Sequence, residues 1–156
     1  MSAYHTDQKA RQESAAVLGR LLADTYSLYL KTQGFHWNVA GPRFCDLHKL
    51  FEEQYGELAA ANDEIAERIR ALGVKAPASY SEFKTLASIA EESGAPAAEE
   101  MLRQLLADNR SAARTARAVV EAAEANEDVG TADLATQRIR SHEKAAWMLE
   151  VLLARS

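Results

Sequence analysis

The stretch Phe35–Arg70, FHWNVAGPRFCDLHKLFEEQYGELAAANDEIAERIR, decides the fold. It holds two of the chain's four histidines, a Gly41-Pro42 break and a long mixed run. Pro42 reads as a helix start, because a first turn does not use the N–H that proline lacks. From there Leu47, Leu50, Phe51, Leu58, Ala61, Ile65 and Leu72 recur at helical spacing, and Gly73 is the expected C-terminal cap. Two pairs four residues apart, His48/Glu52 and Asp63/Glu67, each share a helix face. Eleven residues separate Glu52 from Asp63, close to three whole turns, so both pairs lie on nearly one stripe.

That stripe is too long for one cation. At a rise of ~1.5 Å per residue, Glu52 and Asp63 stand roughly 16 Å apart along the axis, whereas metal–ligand bonds measure only about 2.0–2.2 Å. Two antiparallel copies related by a two-fold axis would set His48/Glu52 of one chain against Asp63/Glu67 of the other, and would form two such sites at once. If the spacing is functional, the site is shared between subunits.

Outward from this stretch, the rest of the chain reads as helix. Before it, Val17, Leu21, Leu22, Leu28, Tyr29 and Phe35 mark an amphipathic helix from about Asp7 toward Val39. Residues 1–6 are expected to form a short flexible tail. After it, residues 75–94 make a long connection, with a short helix expected over Tyr80–Ala90, capped by Ser79 or Ser81, with Leu86 and Ile89 turned inward. A third long helix is expected from Pro96, burying Met101, Leu102, Leu105, Leu106, Ala113, Ala116 and Val120, with Glu99 and Glu100 suited to its first turn. Its Arg103, Arg110, Arg114 and Arg117 read as partners for neighbouring subunits. Gly130 breaks the pattern, Thr131 is the expected cap of a fourth long helix, and Ile139, Ala146, Trp147, Leu149 and Leu152 supply its apolar face. His142 reads as a structural histidine bonded within the bundle, and Glu53, Glu57 and Glu64 as a solvated face.

Composition agrees with an all-α chain of one domain, residues 1–156. A net charge of −5 argues against a general nucleic-acid binder and suits a surface that attracts cations. The single cysteine, Cys45, allows no disulfide within the chain and fits a reducing compartment. The polar N-terminus lacks a signal-peptide core, and no apolar run approaches the ~20 residues of a membrane span. The expectation is a cytoplasmic protein without a membrane partner.

HWNVAGPRFCDLH, EEQY and NDEIAER together resemble the signature of the Dps family, the ferritin-like DNA-binding proteins from starved cells. The later HEKAAWMLE is similar to that family's last helix. The resemblance implies a ferritin-like four-helix bundle with a short extra helix in the long crossover between the second and third helices. It also implies a ferroxidase site at the dimer interface, with His36, His48 and Glu52 from one subunit and Asp63 and Glu67 from its mate. Glu52 departs from the aspartate common in the family; one methylene longer, it remains an oxygen donor. Many ferritin-like di-iron centres use Glu-x-x-His motifs inside a single bundle; no histidine here has a glutamate three residues before it.

Mixed imidazole and carboxylate donors suit Fe(II), and Zn(II) or Mn(II) as well. The resemblance further implies a hollow dodecamer built from two-fold dimers. Such a shell oxidises Fe(II), preferably with hydrogen peroxide, stores ferric mineral, and protects against oxidative damage. Acidic pores would admit iron, with Glu127, Asp128 and Asp133 the best candidates here, and Trp37 resembles an oxidisable tryptophan near the centre. Some members bind DNA through lysine-rich tails. With only Lys9 and Arg11 set against Asp7 and Glu13, DNA binding is expected to be weak or absent. A nucleoid-associated DNA-binding protein with secondary ferroxidase activity is the alternative.

Overall fold

The computed structural model describes residues 7–154; the tail expected over residues 1–6 lies outside them. Among the described residues there are five helices and no strand: α1 (Gln8–Asn38), α2 (Phe44–Ala71), α3 (Tyr80–Leu86), α4 (Ala98–Ala125) and α5 (Val129–Ala154). The four long helices form a bundle in which α1 packs on α2, α4 on α5, and α1 on α4. α3 sits in the crossover and packs on α1. One apolar cluster joins Leu28, Phe35, Leu47, Phe51, Met101, Leu105 and Leu149. A second joins Leu18, Leu21, Leu22, Ile65, Ile69, Phe83 and Val119.

The element ends show where local chemistry yields to context. Asp7 caps α1 by accepting the Ala10 N–H at 2.8 Å. Pro42 lies outside α2, contrary to the expected start. Gly41 has φ 104°, and the Phe44 N–H is donated to the Gly41 carbonyl at 3.1 Å. Proline's fixed φ therefore serves the tight turn between α1 and α2. α2 ends as expected at Gly73, φ 86°, with the Gly73 and Val74 N–H groups donated to Arg70 and Ile69. α3 is capped by Ser79, whose hydroxyl accepts the Glu82 N–H at 3.3 Å and donates to the Glu82 carboxylate at 2.9 Å.

The short helix stops at Leu86 rather than Ala90, because Ser88 turns down to Asp24 of α1. The Asp24 carboxylate accepts the Ser88 N–H at 2.6 Å, the Ser88 hydroxyl at 2.8 Å and the Thr115 hydroxyl at 2.6 Å. One buried acid thereby ties α1, the crossover and α4 together. α4 starts at Ala98, two residues after Pro96, since Ala97 is still extended. α5 starts at Val129, so Gly130 is helical and Thr131 is not the cap. Asp128 is: its Oδ1 accepts the Thr131 N–H at 3.1 Å and Arg68 Nη2 at 2.7 Å. A Cβ at Gly130 would meet the Arg68 guanidinium at 2.9 Å, so a side chain there would push on the group that Asp128 holds.

One further expectation is corrected. Trp147 is exposed, because its 100° step from buried Ala146 carries it out of the core. The α4 arginines find partners in their own chain. Arg103 pairs with Glu99, Arg110 with Glu150 and Arg117 with Glu143, while Arg114 donates to Ser111. Residues 110 and 117 face 150 and 143 because antiparallel helices repeat together every two turns.

Candidate metal centre

His36 lies in the last turn of α1 and His48 in the second turn of α2. The turn between the helices brings the two imidazoles face to face, with ring centroids 3.8 Å apart and planes 14° from parallel. Each ring is held by the other residue's backbone. His36 Nδ1 lies 2.6 Å from the His48 carbonyl, and His48 Nδ1 lies 2.7 Å from the His36 carbonyl. A carbonyl only accepts, so each Nδ1 carries a hydrogen and, in the neutral ring, each Nε2 keeps its lone pair. This is the arrangement a metal-binding histidine requires: the second nitrogen donates, fixing the tautomer and the ring's direction. Phe44 stacks on His48 at 4.9 Å and Tyr55 stands edge-on to His36 at 5.2 Å, which restricts both rings further.

Glu52 lies one turn beyond His48 and is exposed. Asp63 and Glu67 form the second half of the predicted set, far along α2 and also exposed. A hydrogen bond with Asp63, then the charge of Asp63, raises the Glu67 pKa from its ordinary value. Two neighbouring carboxylates whose charges repel offer a cation a ready place. Among the described residues of one chain, no three His, Cys, Asp or Glu side chains converge on a point. One chain thus brings His36 and His48 together, and Asp63 and Glu67 together, but not the two pairs.

The other predicted residues separate. Trp37 follows His36 in sequence but points outward and is 62% exposed. Asp128 is buried, where Arg68 and the hydrogen bonds from Thr131 outweigh burial and hold its carboxyl below the usual range. With its Oδ1 engaged in the cap and the ion pair, it is poorly placed to line a pore. Glu127 and Asp133 are not: both are exposed, the first on the α4–α5 turn and the second accepting from Gln137 at 3.1 Å. Cys45 is exposed.

Sequence reasoning missed several polar contacts that position the site. Lys31 Nζ reaches Asp108 at 2.8 Å and donates to the Ala90 carbonyl at 3.1 Å, holding the crossover against the end of α1 that carries His36. Burial raises the Asp108 carboxyl, with Lys31 opposing. Glu57, expected to be merely solvated, grips buried Arg138 of α5 with both oxygens. Nothing in the local pattern signalled these pairs, because each joins helices distant in sequence.

Residues 15–156 match the Ferritin family, described as a ferritin-like domain. The chain is 39% identical over 137 residues to DNA protection during starvation protein 2 of Bacillus anthracis, covering 88% of this chain and 94% of the relative. Its structure is similar to that of the Dps protein from Vibrio cholerae O1, described as a member of a broad superfamily of ferritin-like diiron-carboxylate proteins. The TM-score is 0.92, with 33% identity and 98% of each chain covered. A Dps protein from Bacillus brevis superimposes with a TM-score of 0.90 at 34% identity, covering 93% of this chain and 97% of that one. Among the described residues, no helix is long and apolar enough to cross a membrane.

Proposed function

Because this chain belongs to the Dps branch of the ferritin-like proteins, we propose that it is a ferroxidase and iron store. It oxidises Fe(II), preferably with hydrogen peroxide, at two-iron sites shared across a two-fold dimer, and holds the ferric product inside a dodecamer. The observation that carries this reading is the reciprocal locking of His36 and His48. It leaves two directed nitrogen lone pairs beside each other, with a carboxylate pair further along the same helix.

The donor set fits iron: imidazole nitrogen accepts Fe(II), and the anionic oxygens of Glu52, Asp63 and Glu67 favour the harder Fe(III). Both helical pairs become one site when a second copy lays its α2 antiparallel, and the isologous arrangement makes two. Peroxide takes two electrons, one from each iron: 2Fe²⁺ + H₂O₂ + 2H⁺ gives 2Fe³⁺ + 2H₂O. Supplying both electrons together avoids release of hydroxyl radical, which is how such a protein protects a cell. Trp37, exposed beside the ligand, offers an oxidisable ring for stray equivalents. Glu127 and Asp133 remain the pore candidates, with Asp128 anchoring the turn that carries them.

The test is anaerobic loading of the assembled protein with Fe(II), addition of peroxide, and ferric absorbance against His48→Ala/Asp63→Ala. Fast oxidation near two irons per peroxide, lost in the variant, is expected. Equal slow oxidation in both would remove the shared site. DNA is expected to bind weakly or not at all in a cytoplasmic setting. Lys9 is paired with Glu13 at 4.0 Å, Asp7 serves as a cap, and a shell of −5 subunits repels phosphate. A plasmid mobility shift at physiological salt would contradict this.

A further inference from the structure

A continuous run of aromatic rings begins at the imidazole pair. Tyr55 stands edge-on to His36 with centroids 5.2 Å apart. Tyr29 lies 6.0 Å from Tyr55, and Tyr26 lies 5.6 Å from Tyr29. Phe83 of α3 stacks on Tyr26 at 4.9 Å and ends the run. Helix geometry explains the series. Tyr29 is seven residues before His36, and Tyr55 is seven after His48, so each tyrosine recurs two turns from its histidine on the stripe facing the other helix.

The far end has a defined position. Tyr29 and Tyr26 line an open groove together with Asn62, Asp63, Ala66 and Tyr80. The run therefore starts at the histidine half-site and ends in the groove that holds Asp63 of the carboxylate half-site. Packing asks nothing of the hydroxyl groups, since phenylalanine would fill nearly the same space. Three phenols in series are each oxidisable by one electron.

We propose that Tyr55, Tyr29 and Tyr26 pass one-electron equivalents between the two half-sites of a chain. The proposal rests on the ferroxidase reading above. It answers a shortage: a site holding a single Fe(II) supplies only one of the two electrons that peroxide requires. That Fe(II) cleaves the O–O bond, becomes Fe(III), and leaves one hydroxide and one hydroxyl-radical equivalent. Tyr55 gives the latter an electron and its phenolic proton, forming water and a phenoxyl radical. Tyr29 repairs Tyr55 in the same way, and Tyr26 repairs Tyr29. Fe(II) held by Asp63 and Glu67 then reduces the Tyr26 phenoxyl, which takes a proton from water. With the hydroxide protonated, the sum is again 2Fe²⁺ + H₂O₂ + 2H⁺ to 2Fe³⁺ + 2H₂O. In the two-fold dimer the Asp63 end belongs to the other site, so two half-filled sites act as one two-electron reductant.

The experiment loads the assembled protein anaerobically with one Fe(II) per site and adds half an equivalent of peroxide per iron. Remaining Fe(II), freeze-quenched phenoxyl signal and spin-trapped hydroxyl radical are measured. Wild type is expected to oxidise nearly all the iron and to retain little radical of either kind. Tyr29→Phe breaks the middle of the run. It should strand a long-lived phenoxyl at Tyr55 and leave about half the iron unoxidised, as the two-electron demand of peroxide requires. Tyr55→Phe should show no such phenoxyl and several-fold more trapped hydroxyl radical. Wild-type behaviour in both variants, with the His48→Ala/Asp63→Ala comparison intact, would overturn the relay alone. Wild type no faster than that double variant would overturn the ferroxidase reading and the relay with it.

Discussion

Lowering the pH from 7 to 5 should weaken the folded chain through His142. This side chain is buried between α4 and α5. Asn109 Nδ2 donates to the Leu105 carbonyl at 2.8 Å, which turns Asn109 Oδ1 toward His142 Nδ1 at 2.9 Å. Nδ1 therefore donates, and Nε2 accepts from Arg138 Nη2 at 3.3 Å. Burial first, and the Arg138 charge second, push the imidazole from its ordinary 6.5 down to about 3. Between those values the unfolded chain binds a proton that the native chain refuses. The contribution is complete above pH 6.5 and is lost as pH falls toward 3. At pH 5 the loss is about 2 kcal/mol per chain, since each pH unit of the difference is worth about 1.4 kcal/mol. That is a large share of the ~5–15 kcal/mol by which domains are usually stable. Guanidinium unfolding at pH 7 and pH 5 should be compared between wild type and His142→Gln, whose amide can both donate and accept. Carboxylates and subunit contacts common to both proteins cancel in the difference. Wild type should lose about 2 kcal/mol more than the variant on acidification. Parallel losses would refute the assignment of a neutral, proton-refusing imidazole.

Other tests address the frame that holds the site. Asp24→Ala abandons three donors from the crossover and α4 and should cost about 3–5 kcal/mol in denaturant unfolding, since bonds to a charged group are worth ~1.5–3 kcal/mol each and are not fully additive. A loss within the range of ordinary surface substitutions would show that the crossover is not pinned there. Glu127 adopts φ 56° at the end of α4, so Glu127→Gly should stabilise by about 1 kcal/mol through relief of left-handed strain, offset in part by unfolded-chain entropy. The same variant should slow Fe(II) uptake if Glu127 helps line an entry pore, and thermal unfolding paired with uptake kinetics separates the two effects.

Much of this protein is written locally. Apolar residues at helical spacing in the 44–71 stretch predict α2, because a helix must bury one stripe whatever lies opposite. Gly73 and Ser79 act as caps in the sequence and in the structure, since each satisfies backbone groups within a few residues. The separation of His48/Glu52 from Asp63/Glu67 was also readable, because helical rise is constant and rules out one cation for both pairs. Pro42, Pro96 and Thr131 misled as helix starts, because the approach of the chain outside the helix decided each boundary. At Thr131, for instance, the Asp128 carboxylate, held by Arg68 from another helix, supplies the cap instead. Only the tertiary structure could lock His36 and His48 to each other's carbonyls, bury Lys31 beside Asp108, or line up Tyr55, Tyr29 and Tyr26. These contacts depend on the register between helices, and register is set by the packing of whole faces across the bundle, which no short window of sequence contains.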